Sequence, residues 1–246
     1  KPCVILQHGL GDNSATWLIP NNTTAIPFSL VDEGYDVWMT NSRGNINSYE
    51  HMHPDTHDIK DISSDYFRFS WDEMAKYDVP SNIDYVLAHS NYDKVFYVGH
   101  SQGTTQFFGA ADVVEDLENK IAGYIAWAPV MYVGNIVSPF IWLLVYSPLA
   151  TVLGWLKIYN FFILPDFVDP LLRWIAIHFR TLVWRLLGLF MGIDEYIRTD
   201  LSRMPVMLNH EPGGTSYFNM VHWLQSIKSG EFIMYDYGSE EENIKH

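Results

Sequence analysis

The sequence predicts an α/β fold: a mostly parallel sheet with helices on both faces and an inserted helical cap. Three observations carry this expectation. Four short apolar runs each end in a turn containing glycine or proline. Helix-compatible stretches lie between them. Between residues 129 and 203 the composition shifts abruptly toward apolar and aromatic residues. Strands alternating with helices imply right-handed crossovers and parallel pairing, and in such sheets ligands bind at the carboxyl ends of the strands.

The chain has 246 residues, of which 48% are hydrophobic and 15% aromatic, enough for one large core with an added cap. A net charge of −14 argues against nucleic acid as a partner. With a pI near 4.9, that charge shrinks in an acidic compartment. Cys3 is the one cysteine, so an internal disulfide is excluded. Asn21-Asn22-Thr23-Thr24 holds two overlapping glycosylation sequons, at Asn21 and Asn22. There is no initiator methionine or signal peptide, and the chain is read as a fragment lacking both termini.

Taken in order, Val4-Ile5-Leu6 is the first strand-like run, closed by His8-Gly9. Tyr35 to Met39 is the second, closed by "NSRGN"; Val95 to Val98 is the third, closed by "GHSQG"; Ile121 to Trp127 is the fourth, closed by Pro129. Ser70-Trp71-Asp72-Glu73 has the spacing of a capping box, in which Ser70 and Glu73 satisfy orphan amides at a helix start. Pro80 sits near the start of the next helix, where a missing N–H costs little, and Ile83, Val86 and Leu87 follow at helical spacing.

From Ile136 to Leu156 there is no charged residue, which by length alone fits a membrane span. Pro139, Pro148 and Gly154 interrupt it, and the favoured reading is a set of short apolar helices forming a cap. The next stretch, "LLRWIAIHFRTLVWRLLGLF", sets Arg173 and Arg180 seven residues apart on one helical face. A basic amphipathic helix of this kind suits a lipid surface; an ordinary cap helix packed on its neighbour is the favoured alternative. The expected organisation is a core over 1–128, a helical cap over 129–203, and a return segment over 204–246.

The chemistry centres on Gly99-His100-Ser101-Gln102-Gly103. A serine between two glycines, after a strand and before a helix, is the pattern of a nucleophile elbow, in which a strained turn exposes the hydroxyl. Ser101 is then the candidate nucleophile, and it needs a general base, normally a histidine oriented by a carboxylate. The tetrahedral intermediate needs preorganised donors. The Gln102 amide, next after the nucleophile, is one candidate, and the Leu10 amide, in the loop after the first strand, is the other. His8 reads as a structural residue of that loop. "EHMHPDTHD" gathers His51, His53, Asp55, His57 and Asp58, but its spacing fits no common zinc motif, and no metal is assigned.

Five stretches in fixed order, "LQHGLGDNSATW", "GYDVWMTNSRGN", "FSWDEMAKYDVPSNIDYVL", "YVGHSQGTT" and "NHEPGGTSYFNMVHWLQSIKSGEF", resemble the acid lipase family of gastric lipases, lysosomal acid lipases and steryl-ester hydrolases. The resemblance is strong over 1–128 and 204–238 and weak between. It implies an α/β-hydrolase fold with a helical cap and lid, and cofactor-free hydrolysis of triacylglycerols or cholesteryl esters at a lipid–water interface; the expected location is secreted or lysosomal, with membrane association as the alternative. It also implies Ser101 as nucleophile with Leu10 and Gln102 as oxyanion donors.

Two departures accompany the resemblance. The cap disulfide of some animal members cannot form here. The family's catalytic aspartate and histidine follow two further strands, and this chain stops before them, so it is expected to be nearly inactive alone. After Ser101 the histidines are His178, His210, His222 and His246. None of them is expected to be the base, nor is Asp166, Asp169, Asp194 or Asp200 expected to be its partner. The alternative function is a non-catalytic lipid-binding or interaction module that keeps the elbow without the rest of the triad.

Overall fold

A computed structural model describes residues 1–21, 23–49, 65–163, 168–191 and 200–245. The first strand, β1 (Cys3–Gln7), is buried along its whole length. Asn13 caps a 3₁₀ turn, Ser14–Leu18, through its side-chain oxygen, and α1 (Ile26–Asp32) leads into β2 (Asp36–Thr40). The capping box at Ser70 opens α2 (Trp71–Glu73) as the spacing predicts. A π-helical turn, Met74–Asp78, then runs without a break into α3 (Val79–Ala88). Val79 N–H reaches back to the Met74 carbonyl, and this wide turn accommodates Pro80, which has no N–H to offer. β3 (Val95–His100), α4 (Gln102–Val113), α5 (Leu117–Lys120) and β4 (Ile121–Trp127) complete the first half.

The four strands form one parallel sheet in the order β2-β1-β3-β4. β1 lies inside it and is apolar on both faces, which explains its unbroken apolar run. Cys3 and Ile5 point with Val95 and Tyr97 into a core shared with Val79, Ile83 and Phe107. Val4 and Leu6 point with Val98 to the opposite face, onto Trp17. β4 is an edge strand, and Ile125 and Trp127 are exposed along it.

The apolar stretch 136–156 is two short helices, α6 (Pro139–Tyr146) and α7 (Leu149–Trp155), broken at Ser147-Pro148. No described helix is long and apolar enough to cross a membrane. β5 (Asn160–Phe161) pairs antiparallel with the later β6 (Thr215–Ser216). Between them lie α8 (Val168–Met191), kinked at Phe179, and α9 (Met204–His210), which pack on one another. α8 packs on its neighbour α9, and Leu171, Trp174, Ile177, Leu182 and Leu186 are exposed along it. Arg180 is exposed on the same helix; the side chain of Arg173 lies outside the described residues. The chain continues through α10 (Tyr217–Ser229) to α11 (Glu240–Lys245). Phe67, Phe69, Trp71, Met74, Tyr159 and Trp223 form the third apolar cluster, which joins this segment to the core.

Asn21 is exposed, with its side-chain oxygen accepting from Thr23 and Thr24. Asn22 and the histidine-rich stretch 50–58 lie outside the described residues.

Candidate active site

Ser101 is the single residue between β3 and α4, with φ 50° and ψ −119°. A residue with a Cβ pays on the order of 1–3 kcal/mol for such a conformation, so the surroundings must hold it. The Ser101 amide donates to the Trp127 carbonyl at the end of β4, 2.9 Å away. The Ser101 carbonyl accepts from both the amide and the hydroxyl of Thr104, at 2.8 and 2.6 Å. Thr104 Oγ1 also accepts from the Val130 amide, and Thr105 Oγ1 donates to the Val130 carbonyl. The two threonines after the elbow thus tie it to the loop leaving β4.

The flanking glycines are needed for closeness. A Cβ on Gly99 would fall 2.7 Å from the Gly103 carbonyl, and one on Gly103 would fall 2.6 Å from the Gln7 carbonyl oxygen. Helix α4 therefore starts directly against β1 and its exit loop. In that loop a Cβ on Gly9 would lie 3.2 Å from Ser101 Cβ and 3.3 Å from His100 Nδ1. This brings the loop that holds Leu10 against Ser101. Among the described residues, neither the Leu10 amide nor the Gln102 amide has a hydrogen-bond partner.

His8 fixes the loop from beneath. Its Nε2 accepts from the Ser42 amide at 3.0 Å and faces Asn45 Nδ2 at 3.1 Å. The ring proton therefore sits on Nδ1, which donates to the Gly9 carbonyl at 2.8 Å. Burial holds the pKa of His8 below the usual imidazole value, and does the same for His100, whose ring packs edge-on against Trp17.

Several supporting residues were not singled out from the sequence. The buried Gln102 side chain accepts from Asn219 Nδ2 at 2.8 Å and from Trp223 Nε1 at 2.6 Å. These residues are four apart on one face of α10. Losing either would leave a buried carbonyl short of a donor, at a cost of about 1–3 kcal/mol. Gln7, Thr40, Ser42 and Gln106 form a second buried network under the strand ends.

His222 and Asp72 make the one close histidine–carboxylate pair among the described residues, with Nδ1 to Oδ2 at 3.9 Å. His222 is fully buried, stacked on Trp71, with Nε2 at 2.8 Å from the Ile233 carbonyl. Both its nitrogens face inward, so it is not placed to serve Ser101. Burial pushes Asp72 up to about 7 and His222 down to about 4. The signs differ. The stability tied to Asp72 is fully present below its unfolded value of 3.8 and is lost as pH rises through 7. The stability tied to His222 is present above 6.5 and is lost as pH falls through 4. Asp72→Asn, which keeps an acceptor for the Tyr235 amide, should raise Tm by several degrees at pH 8 and leave it unchanged at pH 3.5. This corresponds to roughly 1–3 kcal/mol at the higher pH. Calorimetry across that range checks it; a gain equal at both pH values would contradict the assignment.

The other histidines stand apart. His178 is exposed within α8, with Nδ1 2.8 Å from the Trp174 carbonyl one turn earlier, and His210 ends α9. Asp200 caps the turn Leu201–Arg203. Asp166, Asp194, His246 and the side chain of Asp169 lie outside the described residues. Among the described residues, no histidine nitrogen hydrogen-bonds the Ser101 hydroxyl.

The family profile described as the α/β-hydrolase fold matches residues 2–186. Over 255 residues the chain is 38% identical to human lipase member K, covering 100% of this chain and 60% of that protein. It is 37% identical to human lysosomal acid lipase/cholesteryl ester hydrolase over 255 residues, with the same coverage. It is 36% identical to bovine gastric triacylglycerol lipase over 252 residues, covering 100% of this chain and 61% of that protein. The chain thus spans about three-fifths of the length of these relatives.

Proposed function

The chain belongs to the α/β-hydrolase fold family, and on that premise we propose that it is the core of a serine hydrolase of lipid esters, either triacylglycerols or steryl esters. The observation that carries this is Ser101, held at positive φ at a strand–helix turn with the Gly9 loop packed against it. Relatives named as acid and gastric lipases support the substrate class.

In this reading the Ser101 oxygen attacks the ester carbonyl and gives its proton to a histidine, which we place outside the described residues. The Leu10 and Gln102 amides donate to the oxyanion. Collapse expels the alcohol, which takes the proton from the histidine. Water then attacks the acyl-enzyme, the histidine again carrying the proton, and the fatty acid leaves. The step needs no metal or cofactor.

Residues 129–203 we read as the cap and 204–246 as the return to the core. An apolar cavity of 230 Å³ lies between them, lined by residues that include Leu144, Leu153, Phe161, Phe162 and Met220. The Phe162 ring also lies against Gly11 of the oxyanion loop. Each acyl methylene buried there contributes on the order of 0.8 kcal/mol. The exposed Trp174, Ile177 and Leu182 of α8 suit contact with a lipid surface, and we place the protein in the lysosome or outside the cell, a relative named as lysosomal supporting the first.

The test is hydrolysis by the full-length protein of emulsified long-chain esters against soluble short-chain ones. A preference for the emulsified substrate is expected. A preference for the soluble ester would point to a small-molecule esterase, and binding of lipid without turnover would point to the non-catalytic module.

A further inference from the structure

Gln102 carries the amide that follows the nucleophile, and its side chain is held from a distant part of the chain. Its Oε1 accepts from Asn219 Nδ2 at 2.8 Å and from Trp223 Nε1 at 2.6 Å. An indole N–H can only donate, so the carbonyl end of the Gln102 amide group must face it. Asn219 Nδ2 also donates to Thr215 Oγ1 at 2.9 Å, and Gln102 Nε2 faces Met74 Sδ at 3.4 Å. Gln102, Asn219 and Trp223 are all buried. The helix that offers the two donors is itself anchored. Ser216 Oγ accepts from the Asn219 amide at 2.9 Å and donates to the Phe69 carbonyl, and the Tyr217 amide donates to the Tyr159 carbonyl at 2.8 Å.

We propose that Asn219 and Trp223 are positioning residues for ester hydrolysis: through the Gln102 side chain they fix the direction of the Gln102 backbone amide toward the oxyanion that forms beside Ser101. The catalytic part of this rests on the reading of that amide as an oxyanion donor; the tie between the three side chains does not.

The Gln102 N–H belongs to the peptide unit between Ser101 and Gln102. One end of that unit is held at the Ser101 carbonyl, which accepts from the Thr104 amide and hydroxyl at 2.8 and 2.6 Å. The other end is Gln102 Cα, whose side chain the two donors hold. Amides in the first turn of a helix have no partner inside it, so no ladder bond sets their direction. Ser101, just before, is strained at φ 50°. Relaxation of that strain would rotate the peptide unit and turn the amide away, and an anchored Gln102 side chain opposes it. Donors aimed before charge develops are the ones that lower an oxyanion's energy. The same stretch of chain grips the loop of the other proposed donor. Asn13 Nδ2 donates to the His210 carbonyl at 2.6 Å and to Glu211 Oε1 at 3.2 Å, and the Gly213 amide donates to the Gly11 carbonyl at 2.6 Å. Residues 210–223 therefore hold both sides of the nucleophile.

The test uses the full-length protein with Trp223→Phe, which keeps a ring and removes the N–H, and with Asn219→Ala. The first readout needs no turnover. In NMR spectra with isotope-labelled tryptophan and glutamine, the Trp223 indole proton, assigned by its absence in Trp223→Phe, should be protected from exchange. The Gln102 backbone amide should shift in both variants and exchange at least about tenfold faster. The second readout is kinetic. For a soluble ester, kcat per folded molecule should fall about tenfold in each variant, less than for outright removal of an oxyanion donor, with KM changed by less than about twofold. Affinity for a trifluoromethyl ketone, whose serine adduct carries the oxyanion, should fall in step with kcat. A merely structural role would lower the folded fraction and leave these per-molecule values alone. An indole proton that exchanges as in an unfolded chain, or a Gln102 amide unmoved in both variants, would overturn the tie. A kcat per folded molecule within about twofold of the wild type would overturn the positioning role. If Trp223→Phe fails to fold, Asn219→Ala decides by the same readouts. A wild type without turnover would instead count against the proposed function, and the Gln102 amide signal would still decide whether Asn219 and Trp223 hold it.

Discussion

Ser101→Ala is expected to abolish ester hydrolysis by the full-length protein, with a loss on the order of 10⁴–10⁶-fold in kcat, and to leave the fold intact. The loss is this large because the remaining oxyanion donors cannot replace a covalent intermediate. The fold is expected to survive because, among the described residues, every hydrogen bond at this residue is made by its backbone. The Ser101 amide bonds to Trp127 and its carbonyl to Thr104, and alanine keeps both. Serine and alanine carry the same Cβ and bear the same strain at φ 50°. Ser101→Gly is expected to be equally inactive yet more stable, because glycine adopts that φ freely. Kinetics and thermal melts of the two variants check this together. A variant that unfolds would show that the hydroxyl has a structural role, and one that keeps activity would remove Ser101 from the mechanism.

Gly103→Ala is the substitution expected to damage the fold most. Alanine in a helix interior is favoured over glycine by about 1 kcal/mol. Here its methyl would meet the carbonyl oxygens of Gln7 and His8 at 2.6 and 2.8 Å. Those atoms belong to the inner strand β1 and its exit, paired with strands on both sides, so they cannot yield without shearing the sheet. The steric cost therefore outweighs the propensity gain, and a net loss of about 3 kcal/mol or more is expected. Any folded remainder would hold α4 away from β1, separating Ser101 and the Gln102 amide from the Leu10 loop. Denaturant unfolding with residual activity measures both effects. A change under about 1 kcal/mol would contradict the close approach of helix and strand.

The parts of the fold that were legible in the sequence are those set by local rules. β1 and β3 are buried on both faces and read as unbroken apolar runs. The elbow was legible because a serine between two glycines is a five-residue pattern, although Gly103 answers to the distant Gln7 and His8 carbonyls, and the capping box because its two partners lie three residues apart. The packing of α8 on α9 was less legible, because an amphipathic pattern says which residues share a face but not which element covers it. The supports of the site were hidden because they join distant residues. Gln102 meets Asn219 and Trp223 across 117 and 121 positions. Asn13 meets Glu211 across 198. Those pairings depend on how the return segment folds back, which no local pattern encodes. The general base was legible only as a requirement of the chemistry.

The most direct measurement is to label the full-length protein with a fluorophosphonate, which traps an activated serine, and to map the adduct by mass spectrometry. The account predicts one stoichiometric adduct on Ser101, absent in Ser101→Ala. An adduct on a different serine, or undiminished labelling of Ser101→Ala, would contradict the assignment of Ser101 as the nucleophile.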